Sequence, residues 1–436
     1  MDSENKFTLQ GALIWFICAI FYTYELLLRT VLGTFQQPIM QDLSLTPFSF
    51  ALMSTTCYLI VYCVMQVPAA IITNRYGLKK TLMFATALCA VAGVGFAYTY
   101  ELNVAIFFRM LMGLGSSFGF VCLLMSVYEW MPKKHYGTLI GVSQFIGLIG
   151  PMVAAGPLNS IVLANNTDWR VVLFSLGLIG VMLTLLVISF VKDSQNTPKF
   201  KIIEKKTSLS ASILQLIKQN QIWLIAIYSA LVYFTVEYLS ENEGKAFIEL
   251  NGFSSSFSSY MITLGWIGCA IGCPVLGALS DIFKRRKLVM VFAALCCLVS
   301  FTTIVYFPIS KAVLAAAFFV LGFGAGGQSI GFAIMAEQCN KNYLAMGLGF
   351  NNAMIALLMS LNAPIVGKLL TYHGLHTSLN INDYRFAFSF IILLLVISVF
   401  ISVLFIKETY CRPTKGYTVI NWLNFLNTNK NIVKST

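Results

Sequence analysis

The chain has 436 residues, of which 58% are hydrophobic and only 11% charged; soluble domains carry roughly 45–50% apolar and about 25% charged residues. That balance excludes a water-soluble fold, and disordered, coiled-coil and disulfide-scaffold classes with it. The formal charge is +12, and in so apolar a chain it points to membrane topology and anionic lipid rather than to nucleic acid.

Apolar runs long enough to cross a bilayer, about 20 residues each, begin near Gly11, Phe48, Thr81, Asn103, Tyr136 and Trp169. After a polar interval, six more begin near Gln221, Phe257, Leu288, Lys311, Asn342 and Tyr384. The runs hold Gly and aromatic residues without polar–apolar alternation, so they read as helices rather than barrel strands. The fold class is therefore an all-α membrane protein of twelve transmembrane helices. Residues 1–192 are expected to form one six-helix bundle, 193–220 a Lys-rich linker, 221–408 a second bundle and 409–436 a tail.

Lys and Arg concentrate in alternate connections: Arg75, Lys79 and Lys80; Lys133 and Lys134; the linker; Lys284 to Lys287; Lys341; and both termini. The other connections offer Arg170, Lys245, Lys311 and Arg385. The positive-inside rule then puts both termini in the cytoplasm. The eleven Cys lie mostly inside spans without a C-x-x-C pair, and His135, His373 and His376 are scattered, so neither a metal site nor a cofactor is expected. The first apolar run reads as a retained helix, being too long for a signal peptide.

The two halves repeat. Asn74-Arg75 aligns with Asp281, Glu129 with Glu337, Gly113-x-Gly115 with Gly322-x-Gly324, and Gly156-Pro157 with Ala363-Pro364, each pair about 208 positions apart. An even number of spans per copy gives a parallel repeat about an axis along the membrane normal, hence two pseudo-symmetric six-helix bundles. Gly322 to Gly327 satisfies G-x-G-x-x-G formally, but with no strand before it the run reads as close helix packing.

Several of these segments resemble the major facilitator superfamily of secondary transporters, over about residues 7–408. Gly277-Ala278-Leu279-Ser280-Asp281 with the following Lys284 to Lys287, including Arg285, is similar to that family's loop signature between the second and third helices of a half. The first copy, from Ala70 to Lys80, keeps Arg75 and Gly77 but has Ala70 and Asn74 in place of the family's Gly and Asp. Arg109-x-x-x-Gly113-x-Gly115 resembles the motif of its fourth helix. The resemblance implies gating or structural roles for these residues and, for Arg109, proton coupling or hydrogen bonding between helices. Phe21 to Thr30 resembles a narrower bacterial branch that includes phagosomal nutrient transporters, which would imply import of amino acids or nucleosides across a bacterial inner membrane. Pro151, Pro157 and Pro364 are candidate gate hinges, because Pro frees a backbone carbonyl and permits bending.

A charge at lipid depth costs at least about 2.5–3.5 kcal/mol, which makes it a functional candidate by default. Glu25 and Arg29 share one helical face with Tyr22. Glu237 lies deep in its own run with Tyr233 on the same face, and the repeat makes it the counterpart of Arg29 with opposite sign. One reading has Arg29 hold a substrate carboxylate while Glu25 or Glu237 holds an amine or exchanges a proton; the other is a static Glu25–Arg29 pair. The first reading requires the charged cluster to line a water-reachable chamber midway through the lipid; the second only locks the first span. Gln144, Asn351 and Asn352 are candidate substrate contacts or helix glue.

The expected function is proton-coupled secondary import of a small polar nutrient, amino acid or nucleoside-like, by a monomer without enzymatic activity. An exporter of drugs or siderophores on the same fold, or a membrane receptor without transport, are the alternatives that the residues leave open.

Overall fold

The computed structural model describes residues 8–132, 136–193, 218–307, 310–339, 344–373 and 379–412. Most of the expected linker, the tail after Arg412, and Lys133, Lys134, His135, Lys341, Asn342 and His376 lie outside the described residues.

Twelve helices are long and apolar enough to span a membrane. They are α1 (Leu9–Thr34), α2 (Pro47–Tyr76), α3 (Leu78–Ala97), α4 (Leu102–Trp130), α5 (Leu139–Asn165), α6 (Trp169–Phe190), α7 (Asn220–Glu241), α8 (Ser255–Phe283), α9 (Arg286–Tyr306), α10 (Lys311–Gln338), α11 (Met346–Tyr372) and α12 (Ile381–Phe405). At 1.5 Å per residue each reaches across the ~30 Å hydrocarbon core. Val64, Val91, Val181 and Met182 face outward from the bundle, as lipid-facing side chains do. The interior is filled by aromatics such as Trp266, Tyr58, Phe234 and Phe301. We call the face where α1 begins and α12 ends the terminal face, and the opposite one the distal face.

Within each half, α1 packs on α4 and α5, α3 on α6, and, correspondingly, α7 on α10 and α11, α9 on α12. Helix breaks repeat as well: α4 is interrupted at Ser117–Phe118 and α10 at Gly326–Gly327, just after the paired Gly-x-Gly motifs. Those glycines are contact points. Gly113 rests on the Tyr58 carbonyl and Gly322 on the Gly265 carbonyl, with no space for a Cβ at either.

The halves meet along three seams, α1 with α7, α2 with α11 and α5 with α8. The α2–α11 seam is bonded from the distal end inward: Phe48 N to Thr371 Oγ1 at 3.3 Å, Thr56 Oγ1 to the Ser360 carbonyl at 2.7 Å, Cys63 Sγ to the Ala353 carbonyl at 3.2 Å. In the α5–α8 seam Thr263 Oγ1 accepts from Gly156 N and donates to the Met152 carbonyl, both at 2.9 Å. Gly33 of α1 abuts the Ser240 carbonyl of α7 so closely that a Cβ would overlap it. The distal side is therefore closed in this structure.

Candidate functional site between the two halves

In α7, Glu237 and Glu241 stand four residues apart and so share a face. That face meets α1 at Arg29. The guanidinium is planar and forked, so it answers both carboxylates at once: Nη2 lies 2.9 Å from Glu237 Oε2 and Nε donates to Glu241 Oε1 at 2.8 Å. Nη2 also reaches the Met359 sulfur of α11 at 3.4 Å. Arg29 is 7% exposed and both glutamates 1%. The second Glu241 oxygen accepts from Thr55 Oγ1 at 2.9 Å, Asn242 Nδ2 donates to Thr55 Oγ1 at 3.0 Å, and Ser54 Oγ donates to Asn242 Oδ1 at 3.0 Å.

Span α2 offers Ser54 and Thr55 together because Leu52–Thr56 is a π-turn. The extra residue per turn rotates successive side chains differently from an α-helix and is a frequent feature of functional sites. Arg109 fastens the other side of this turn. It is fully buried, lies 4.5 Å from the Tyr58 ring centroid, and donates to the carbonyls of Ser54, Leu28 and Arg29 at 2.8, 2.7 and 2.6 Å. Three carbonyls on two helices are thus held by one side chain, which is hydrogen bonding between helices.

Two expectations need correction. The static Glu25–Arg29 pair is not formed: Arg29 is engaged across the seam, and neither oxygen of Glu25, itself 1% exposed, has a hydrogen-bond partner among the described residues. Nor is the cluster a water-reachable chamber midway through the lipid. Arg29 is five residues from the distal end of α1, about 8 Å along the axis, and the group is sealed by the closed seams. Glu25, one turn nearer the middle, packs against Gly119.

The other candidates fall in three groups. Tyr22 donates to Gln144 Oε1 at 3.0 Å, and Tyr233 meets Trp266 edge-on at 6.1 Å. Asn352 Nδ2 donates to Gln66 Oε1 at 3.0 Å, the bond of the α2–α11 seam nearest the terminal face, whereas Asn351 is fully buried with both amide atoms unpartnered among the described residues. Pro151 and Pro364 sit inside helices, while Pro157 starts the segment after the break of α5 at Ala155.

At the terminal face Asp281, Glu337 and Ser280 converge on Arg286, with Asp281 Oδ1 2.6 Å and Glu337 Oε1 2.9 Å from its guanidinium. The residue in this cluster is Arg286 and not the expected Arg285, which is exposed: Lys284 takes a left-handed φ of +52° that turns the chain there. Among the described residues of the first half no ion pair corresponds to Asp281–Arg286–Glu337. Lys79, the counterpart of Arg286, donates to the Ile188 carbonyl at 2.8 Å, Arg75 lies over Tyr76, and Glu129 is half-buried at the end of α4. What the halves share is a cap. Asp193 accepts from Lys79 N at 2.8 Å at the start of α3, and Glu408 from Arg286 N and Lys287 N at 2.9 and 3.0 Å at the start of α9, where helix dipoles favour negative charge. Gly77, at φ +89°, lies against the Asp193 carboxylate, and the left-handed turn there needs a residue without Cβ.

The family model described as Major Facilitator Superfamily matches residues 15–242 and 245–418. This chain belongs to that superfamily. Among curated proteins, this superfamily member is 23% identical over 310 residues to the 3-(3-hydroxy-phenyl)propionate transporter of Escherichia coli K12, covering 69% of this chain and 72% of that one. It is 24% identical over 369 residues to the hexuronate transporter of Bacillus subtilis 168, covering 79% and 83%. Solved structures share the fold. A bacterial homologue of the human lysosomal transporter Spinster superposes with a TM-score of 0.73 at 14% identity, covering 91% of this chain and 96% of that one. The D-xylose–proton symporter does so with 0.71 at 15% identity, covering 93% and 100%. The protein is thus a major facilitator transporter, an integral multi-pass membrane protein that moves solute rather than transforming it.

Sequence reasoning missed Glu241, Thr55, Ser54 and Asn242. The spacing Glu237-x-x-x-Glu241 repeats that of Glu25-x-x-x-Arg29 and was the available signal; the π-turn left none.

Proposed function

We propose that the protein imports a small polar nutrient, amino acid or nucleoside-like, by alternating access coupled to protons. The observation that carries this reading is the buried Arg29–Glu237–Glu241 bridge between the halves, with an unpartnered carboxyl at Glu25 one turn away. An ion pair that joins the halves must break when the distal side opens, and Arg29 then becomes free to receive a substrate carboxylate or to turn to Glu25, four residues away on the same face. An unpartnered carboxylate ion is costly in such surroundings, so Glu25 is the proposed proton carrier, with Tyr22, Gln144, Tyr233, Asn351 and Asn352 lining the route. The relatives that carry a hydroxyphenylpropionate and a hexuronate, and the D-xylose–proton symporter that shares the fold, support a small metabolite as cargo. The basic terminal face supports a cytoplasmic position for both termini in a bacterial inner membrane.

The test begins with a thermal-shift screen of amino acids, nucleosides and organic acids on the purified protein, since a ligand bound only by the folded state raises Tm. Uptake of a hit into proteoliposomes should depend on an imposed proton gradient and collapse with an uncoupler. Glu25→Gln and Arg29→Ala should each abolish it while leaving the protein inserted. Full flux in either variant, or flux indifferent to the gradient, removes the corresponding role.

A further inference from the structure

Where α7 ends stand three consecutive polar residues, its last residue Glu241 and then Asn242 and Glu243, each no more than 2% exposed. The first two are consumed by the first half, through Arg29, Thr55 and Ser54. Glu243 turns the other way: its Oε2 accepts from Tyr384 Oη of α12 at 2.8 Å. Its Oε1 has no hydrogen-bond partner among the described residues. Beside it stands Gln36, in the short helix Gln36–Asp42 that follows α1, 2% exposed and with both amide atoms likewise unpartnered. Buried polar groups are rarely left unanswered. A carboxylate only accepts, and so cannot answer an amide oxygen; a carboxylic acid also donates.

We propose that Glu243 is a proton-binding site that locks the distal seam: with its proton on, the acid bridges Tyr384 of the second half to Gln36 of the first, and with its proton off, the buried charge expels the Glu241-Asn242-Glu243 segment and the distal side opens. This rests on the alternating-access reading above but concerns a different carboxyl from the substrate cluster.

Burial pushes the Glu243 carboxyl up to about 7, against the Tyr384 hydrogen bond and the nearby Gln36 amide that hold it down. The titratable groups facing it are Tyr384 from α12 and Tyr238 from α7; Lys245 and Glu249 of the short helix Gly244–Leu250 pair with each other at 3.9 Å, and Glu241 is turned to Arg29. Because the closed-state value is raised, the contribution to closure is complete below the ordinary carboxyl value of 4.5 and is lost as pH rises through about 7.

Ser259 of α8 reports the seam. It is 1% exposed, lies beside Gly33 and Thr34 of α1 in the closed state, and is no part of the lock. Ser259→Cys is introduced with and without Glu243→Gln, and labelling by a membrane-impermeant methanethiosulfonate applied to the distal side of substrate-free proteoliposomes is measured, with the parent chain giving the background of native thiols. The ratio of the two rates cancels the reagent's own pH dependence. It should be near one at about pH 4 and rise at least about fivefold by about pH 9, because Glu243→Gln keeps the neutral form throughout. A ratio that stays flat overturns the proposal. Tyr384→Phe is the second arm: removing a donor that favours the ion should move the transition to higher pH, and an unmoved midpoint also overturns it. Solute uptake plays no part in these rates, so failure of the nutrient reading and failure of the lock are separately visible.

Discussion

Arg29 and Arg109 are both buried arginines, yet they are satisfied in opposite ways. Arg29 is balanced by carboxylates from the other half, whereas Arg109 is held by carbonyls of its own half. The first arrangement joins the two halves, whereas the second lies wholly within one half. Removing one partner of a buried pair costs about 3–5 kcal/mol because the other charge is left uncompensated. Arg29→Ala leaves two glutamates unanswered and should lower stability by that order in detergent unfolding, while Glu241→Gln, which keeps the Thr55 bond and the Glu237 pair, should cost clearly less. Arg109→Lys should be as damaging as an alanine, since an ammonium cannot reproduce the fork toward three carbonyls. Retention of wild-type Tm by Arg109→Lys would contradict that assignment.

Among the helices, close approach is decided by where a glycine faces a backbone carbonyl. Gly322 lies under the Gly265 carbonyl, whereas Gly277 has open space around it. Gly322→Val should therefore wedge α8 from α10 and lower Tm markedly, by more than about 3 kcal/mol, while Gly277→Val should stay within about 0.5 kcal/mol. Thermal unfolding of the two variants side by side separates packing from a general intolerance of valine. Gly33 is a different case, because it meets Ser240 across the α1–α7 seam. Gly33→Val should disfavour the closed distal state specifically, seen as faster distal labelling of Ser259→Cys with the protein still folded.

The whole molecule is two copies of one plan with unequal fastening. On the terminal face the second half gathers Arg286, Asp281, Glu337 and Glu408, while the first half has Asn74 where the acid of the motif would stand and Lys79 where Arg286 stands. Arg286→Ala should loosen the terminal face of the second half, raising hydrogen exchange at the start of α9, whereas Lys79→Ala, which leaves the Asp193 cap on the backbone intact, should leave α3 unchanged. Equal effects on the two halves would show that the asymmetry carries no mechanical weight. The distal side is where Arg29 of α1 meets Glu241 across the seam, and the proposed lock at Glu243 lies two residues beyond Glu241.

The sequence alone determined the class, the twelve spans and the repeat, because length and apolarity are local properties and the offset between copies survives in Gly, Pro and acidic residues. Span starts near Gly11, Trp169, Gln221 and Lys311 fall within two residues of the observed helices, and the sign relation between Arg29 and Glu237 was legible from the offset. Which carboxylate Arg29 chooses was not. Glu25 is nearer in sequence, but the choice depends on the separation of α1 and α7 and on the reach of a guanidinium across a seam. Only the tertiary structure decided that partner, the presentation of Ser54 and Thr55 by a π-turn, and the burial of Glu243 between Tyr384 and Gln36, because each needs groups from distant segments to meet at a few ångströms, and one residue of rotation in a helix turns a side chain by about 100°.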